Sequence, residues 1–129
     1  GKVKCIYIDP PYNTGNMGFP YDDSVEHSIW LSLMKPRLEL LRMLLKNDGA
    51  IYIQIDDVES AYLKIICDEV FGRENFINFI TVKTKSSAGA SGGGEDKKLK
   101  KNTEFILLYA KDRNNFITKT IFVEQNLNH

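Results

Sequence analysis

The apolar positions of the chain follow two different periods. The run Val3-Lys4-Cys5-Ile6-Tyr7-Ile8 is β-branched and aromatic, and Asp9, Pro10 and Pro11 follow it directly. It predicts a buried parallel strand that can extend no further, because neither proline has an N–H to give to a ladder. From Ser28, a capping residue, to about Lys46 the period changes. Ile29, Trp30, Leu33, Met34, Leu38, Leu40, Leu41, Leu44 and Leu45 recur at helical spacing and predict one broad buried stripe. On that spacing Trp30 and the leucines read as core rather than as a cofactor-binding stripe. Pro36, inside the run, predicts a kink or an unpaired carbonyl. Asn47-Asp48-Gly49 is expected to end the helix, with glycine supplying a left-handed residue.

A second apolar strand is predicted over 50–55 and a second helix from about Val58 to Phe71. Asp56 or Asp57 makes a sound cap for that helix, and Asp56 with Glu59 has capping-box spacing. The alternative, a metal-binding acid pair, lacks other oxygen ligands nearby. A turn over 72–75 leads to a third strand over 76–82, and a fourth is predicted over 103–110. A turn over 111–115 precedes one more strand-like run, 116–123. Strand, helix, strand, helix is a βαβα unit, so the first two strands are expected to be parallel neighbours with a right-handed crossover. No helix separates strands three and four, which predicts an antiparallel hairpin. The fold class is therefore α/β.

Two long loops interrupt the pattern. Residues 13–23 mix glycines with Phe19, Tyr21 and acids, beyond the carboxyl end of the first strand, where open α/β sheets carry functional loops. A plain surface loop is the other reading. Residues 83–102 are small, polar and basic, and include Gly92-Gly93-Gly94 and six lysines: Lys83, Lys85, Lys97, Lys98, Lys100 and Lys101. Such a stretch buries too little apolar area to offset its ordering entropy, so it is expected to be mobile alone. Its glycines are not a dinucleotide fingerprint, since no strand feeds them and no helix follows.

Charge sharpens the second loop. The chain has 17 Lys+Arg and 17 Asp+Glu. Residues 1–82 carry 8 basic against 12 acidic groups, whereas residues 83–129 carry 9 against 5. One basic half can present a face to phosphate. Cys5 and Cys67 lack C-x-x-C spacing and read as small buried core residues, with reduced thiols and a cytoplasmic setting. With only His27 and His129 beside them, no zinc site can be drawn. No apolar run approaches a membrane span, and the first residues are not a signal peptide. The chain begins almost directly inside a core strand, which reads as an excised piece of a longer protein.

The candidate chemistry lies at Asp9-Pro10-Pro11-Tyr12. Asp9 and Pro10 each precede a proline and are held extended. The product is a stiff turn with a carboxylate at its base, a free Pro10 carbonyl and a tyrosine ring at its tip. A planar ring bearing an amino group needs such a pair of acceptors beside a flat platform. The competing reading is a strand end in which Asp9 makes a local turn bond and Tyr12 packs on the surface.

The run into Asp9-Pro10-Pro11-Tyr12-Asn13-Thr14-Gly15 resembles the amino-methylating DNA methyltransferases. It is most like the subgroup whose catalytic motif precedes its cofactor motif, which includes modification subunits of type III restriction systems. The 30–45 helix, Gly49 to Ile53 followed by Asp56-Asp57, Phe71 to Phe76 and Thr103 to Lys111 are similar to that subgroup in the same order. The resemblance covers residues 3–113. It implies a Rossmann-like, S-adenosylmethionine-dependent fold, with residues 1–113 as its catalytic half and 114–129 opening a following region, for which target recognition is the candidate role. It implies Asp9, Pro10, Pro11 and Tyr12 as the catalytic turn, with Tyr12 stacking on a flipped base. Phe105 is the candidate for a second apolar wall, against its reading as a core phenylalanine. The six loop lysines are implied to contact double-stranded DNA, and Asp9 is a candidate edge contact to the cofactor.

One departure matters. The family's aromatic-x-Gly-x-Gly cofactor turn is absent from the sequence, so this polypeptide alone is expected to bind S-adenosylmethionine weakly or not at all and not to turn over. The reading is thus part of a DNA adenine methyltransferase, with a restriction subunit or a second methyltransferase subunit as expected partners. Methylation of cytosine or of RNA, and a non-catalytic nucleic-acid-binding module, are the alternatives.

Overall fold

The computed structural model describes residues 1–11, 27–84 and 101–119. Strand β1 (Val3–Ile8) is followed by helix α1 (His27–Leu44), strand β2 (Leu45–Ile55) and helix α2 (Ser60–Phe71). A short 3-10 turn, Arg73–Asn75, leads into β3 (Phe76–Lys83), then β4 (Thr103–Ala110) and a second 3-10 turn, Arg113–Asn115. The sheet order is β1-β2-β4-β3. As expected, β1 and β2 are parallel, with Ile8 opposite Ile53, and β3 pairs antiparallel with β4. The sequence did not announce that β4 inserts between β2 and β3, antiparallel to both.

Period two explains the packing of the sheet. Ile51, Ile53 and Ile55 of β2 point to one face, where they meet Leu107 and Tyr109 of β4. Trp30, Met34 and Leu38 of α1 and Leu63, Cys67 and Phe71 of α2 close the same core. The stripe on α1 is narrower than its sequence predicts, since Ile29, Leu33, Leu40 and Leu44 are exposed. The helix runs unbroken through Pro36. Pro36 and Ser32 are both exposed, so water can take the Ser32 carbonyl that a proline leaves without a donor.

Three other expectations need correction. Cys5 is exposed rather than buried, because it lies with Tyr7 on the face of β1 opposite Ile6 and Ile8. Gly49 does not end a helix in a left-handed conformation. Strand β2 begins at Leu45, and Gly72, at φ 92°, is the single positive-φ residue among those described. What Gly49 supplies is room, since a Cβ there would lie 2.9 Å from the Val3 carbonyl oxygen and 3.0 Å from that of Lys4. Pairing passes from Val3 opposite Leu45 to Cys5 opposite Ala50, so residues 46–49 fall within a register shift at this point. Lys4 then bonds the Asp48 carboxylate at 2.7 Å, which, with its charge, holds that carboxyl below its ordinary range. Finally, 116–119, the described part of the predicted 116–123 run, forms no strand.

Central strand β4 is fastened to α2 by half-buried polar contacts at the margin of the apolar core. The fully buried Tyr109 hydroxyl donates to Asp68 Oδ1 at 2.6 Å, and Lys64 Nζ bonds both Asp68 oxygens at 2.7 Å. The same ammonium lies 4.3 Å from the centre of the Phe76 ring. Burial raises the pKa of Asp68, but the bonds from Lys64 and Tyr109 outweigh it and leave the carboxyl below its ordinary value. No helix among the described residues is long and apolar enough to cross a membrane.

Three substitutions test these contacts by their effect on stability. Tyr109→Phe removes one of the bonds that the Asp68 carboxylate accepts and should cost about 1–2 kcal/mol in urea denaturation. Because the folded pKa of Asp68 is lowered, its stabilisation is complete above the ordinary value of 3.8 and is lost as pH falls through the folded value. Asp68→Asn should therefore flatten the acid limb of the stability profile. At Gly72, alanine should cost about 1–3 kcal/mol, since φ 92° with ψ 134° is glycine territory.

Candidate functional site at the carboxyl edge of the sheet

Strand directions bring the candidate residues together. Parallel pairing puts the carboxyl ends of β1 and β2 at one edge of the sheet. Because β4 is antiparallel to β2, its amino end lies there too, with Phe105 opposite Ile55. The second reversal brings the carboxyl end of β3 to the same edge, with Lys83 opposite Thr103. Asp9, Pro10, Pro11, Asp56, Phe105, Lys83 and Lys101 thus share one edge, although they are spread over about a hundred residues of chain. Tyr12, Lys85, Lys97, Lys98 and Lys100, and most of the loop expected to be mobile, lie outside the described residues.

Asp9 is exposed, Pro10 is buried and Pro11 is exposed again. The Pro11 carbonyl accepts a bond from Trp30 Nε1 at 3.1 Å. Trp30 is a core residue, as its spacing predicts, at 6% exposure, but its polar edge is spent on the turn. One helical turn earlier, His27 Nδ1 lies 2.7 Å from Oε1 of the buried Glu59. The His27 ring stacks on Tyr62, with centroids 3.9 Å apart. The first turn of α1 therefore ties down both segments that leave the parallel strands: Pro11 after β1 and Glu59 after β2. No local pattern announces this bridge, since a buried tryptophan and a histidine at a helix start have no spacing that names their partners.

After β2, Asp56 is a cap, as its position predicts. Its Oδ1 accepts from the backbone N–H of Val58 at 3.1 Å and of Glu59 at 3.3 Å. The helix begins slightly later than expected, at Ser60, whose N–H bonds the Asp56 carbonyl. Asp57 pairs with Lys101 at 2.5 Å. At the root of the 83–102 loop the Thr84 N–H bonds the Asn102 carbonyl at 2.8 Å, which holds the loop's two ends together. Just below this edge, on the face away from the helices, Tyr7 donates to Gln54 and Gln54 donates to Glu104. That polar row crosses β1, β2 and β4.

Phe105 is half-buried. It packs against the core and sets its ring against Phe79, with centroids 5.1 Å apart. Both of its sequence readings therefore keep a basis: it fills the core, and it lies at the edge that Asp9 occupies. A cleft of about 460 Å³ lined by Arg42, Glu74, Lys111 and Arg113 opens at the opposite end of the strands, away from Asp9. Replacing Asp56 with alanine removes the cap on α2 and should cost about 0.5–2 kcal/mol in urea denaturation.

A family model described as DNA methylase matches residues 3–129. The "Probable type III restriction-modification enzyme HindVI Mod subunit" of Haemophilus influenzae is 52% identical over 128 residues, covering 99% of this chain and 17% of that protein. The chain thus spans under a fifth of that relative's length. Among solved structures, the PvuII DNA methyltransferase (cytosine-N4-specific) superposes with a TM-score of 0.65 at 11% identity, covering 89% of this chain and 44% of that one. The crystal structure of an M1.HpyAVI–SAM complex gives a TM-score of 0.52 at 18% identity, covering 87% and 46%. Both structural likenesses concern the fold, which is that of the Rossmann-like methyltransferases.

Proposed function

Because the chain belongs to the DNA methylase family, we propose that it is the amine-acceptor half of a DNA methyltransferase acting on the exocyclic amino group of adenine. The observation that carries this reading is the stiff Asp9-Pro10-Pro11 turn at the carboxyl edge of the sheet, with its carbonyl end tied to α1 through Trp30. Open α/β folds take their ligands at that edge. Residues 1–113 form this half of the catalytic domain and 114–129 open the next region, one that serves target recognition.

The adenine amine is a poor nucleophile, because its lone pair is delocalised into the ring. Asp9 and the Pro10 carbonyl accept its two N–H bonds, which localises that pair on nitrogen. S-adenosylmethionine, held by the complete protein, supplies an electrophilic methyl on a sulfonium. The exposed Asp9 carboxylate suits the charge of that cation. The chain's contribution to in-line transfer is to orient the amine. A base inside a duplex cannot reach the turn, so it is flipped out. Tyr12 stacks on it, and such stacking is worth roughly 1–3 kcal/mol. Phe105 forms a second wall, while Lys83, Lys85, Lys97, Lys98, Lys100 and Lys101 hold the phosphate backbone. Lys101 would exchange Asp57 for phosphate on binding.

Double-stranded DNA is the substrate, in the cytoplasm, and the name of the Haemophilus relative supports a restriction subunit as partner. Cytosine is the second reading, supported by the likeness to the cytosine-N4-specific PvuII enzyme, because it presents the same kind of amine. Mass spectrometry of nucleosides from host DNA exposed to the full-length protein separates the two, as N6-methyladenine or N4-methylcytosine. In the full-length protein Asp9→Ala should lower methyl transfer by about 10²-fold or more while leaving DNA binding intact. Retained turnover would remove Asp9 from the reaction.

A further inference from the structure

We propose that Trp30 is a positioning residue for methyl transfer, acting through its indole N–H on the Pro11 carbonyl. The inference rests on the functional reading above and adds a residue to it. Each step follows from the torsions of the turn. Asp9 and Pro10 both precede a proline and are confined to extended conformations. Both prolines have φ fixed by their rings. Pro11 is followed by a non-proline residue, so its ψ is the one backbone torsion of the turn with two open wells. Because the peptide unit is planar, that torsion alone decides where the Pro11 carbonyl points and where the chain leaves.

The bond from Trp30 Nε1 to Pro11 O, at 3.1 Å, selects one well. The indole is buried beside Met34 and Leu38 and has a single donor. If Pro11 turned to the other well, that donor would be stranded in the core. Because the torsions between Asp9 and Pro11 are already confined, tying Pro11 to α1 also holds the acceptor pair from its exit side. On one side the β1 ladder, which ends with Ile8 opposite Ile53, fixes the approach to Asp9. On the other side Trp30 fixes the exit from Pro11. The Asp9 carboxylate and the Pro10 carbonyl lie between these anchors, so Trp30 touches no reacting atom yet sets the frame in which the amine is met.

The test compares full-length wild-type protein with two variants that keep an aromatic ring in the core and lose the N–H. One is Trp30→Phe. The other carries 3-benzothienylalanine at position 30, where sulfur replaces the N–H in a ring of the same shape, so that folding is preserved if phenylalanine proves too small. Transfer of labelled methyl from S-adenosylmethionine to unmethylated genomic DNA is followed at saturating DNA, together with KM for DNA and the urea midpoint. The expected result is a fall in kcat of roughly tenfold, the worth of one hydrogen bond, with KM and the midpoint close to wild type. An unchanged kcat in the benzothienyl variant overturns the proposal. So does a fall that only tracks lost stability, which marks Trp30 as core filling alone. If wild-type protein transfers no methyl to DNA, the functional reading itself fails, and that outcome is told apart by the wild-type arm.

Discussion

Two adjacent prolines cannot donate to a β-ladder, and this constraint shapes the end of the molecule where its polar groups collect. Strand β1 must stop at Ile8, at the point where the parallel neighbour β2 is still paired through Ile53. The chain there can be neither strand nor helix, because residues before proline are excluded from the helical region. It becomes a rigid projection whose carbonyl groups need other donors, and one of them, Pro11 O, finds the indole of Trp30. A flexible turn at this position would lose its geometry to entropy each time a ligand was met. This one has little backbone freedom left to lose.

The sheet makes that projection useful. With β4 antiparallel between β2 and β3, the root of the lysine-rich loop returns to the edge where Asp9 stands. Had β3 paired directly with β2 in parallel, β4 would have been displaced outward and Phe105 carried away from Ile55. The Tyr109 hydroxyl, bonded to Asp68, which Lys64 also bonds, ties β4 to α2. The β2–β4 and β4–β3 ladders decide which loops share an edge, and the polar contacts to α2 add to their hold on β4.

Much of this was legible in the sequence, because it rests on local periods and local chemistry. The β-branched and aromatic run before Asp9, the part of the 29–45 stripe that is buried at Trp30, Met34 and Leu38, and the Asp56 cap each follow from neighbours within a few residues. What was not legible depends on partners far along the chain. Cys5 reads as core because its strand is apolar, yet its face of β1 is uncovered among the described residues. Gly49 reads as a helix stop, but the backbone of β1, more than forty residues away, is what makes a side chain impossible there. The insertion of β4 and the reach of Trp30 to Pro11 belong to the same class. In the candidate site the acceptor turn and its place beyond a strand could be read in advance, whereas the residues that hold it rigid could not.

That division has a physical basis that bears on how the edge works. Acceptors for an amine must be exposed and must keep lone pairs free, so they are short, local and visible as a motif. The groups that keep them in place must be buried and satisfied, so they are drawn from whatever the fold brings near. Of the acids at this edge, Asp56 caps α2 and Asp57 pairs with Lys101. Glu59, wholly buried, meets His27. Among these described acids, Asp9 is the one that combines exposure with a backbone that its own sequence makes stiff. Among the described residues Asp56, Asp57 and Glu59 are engaged in structural contacts around it, and they support the edge on which the exposed Asp9 stands.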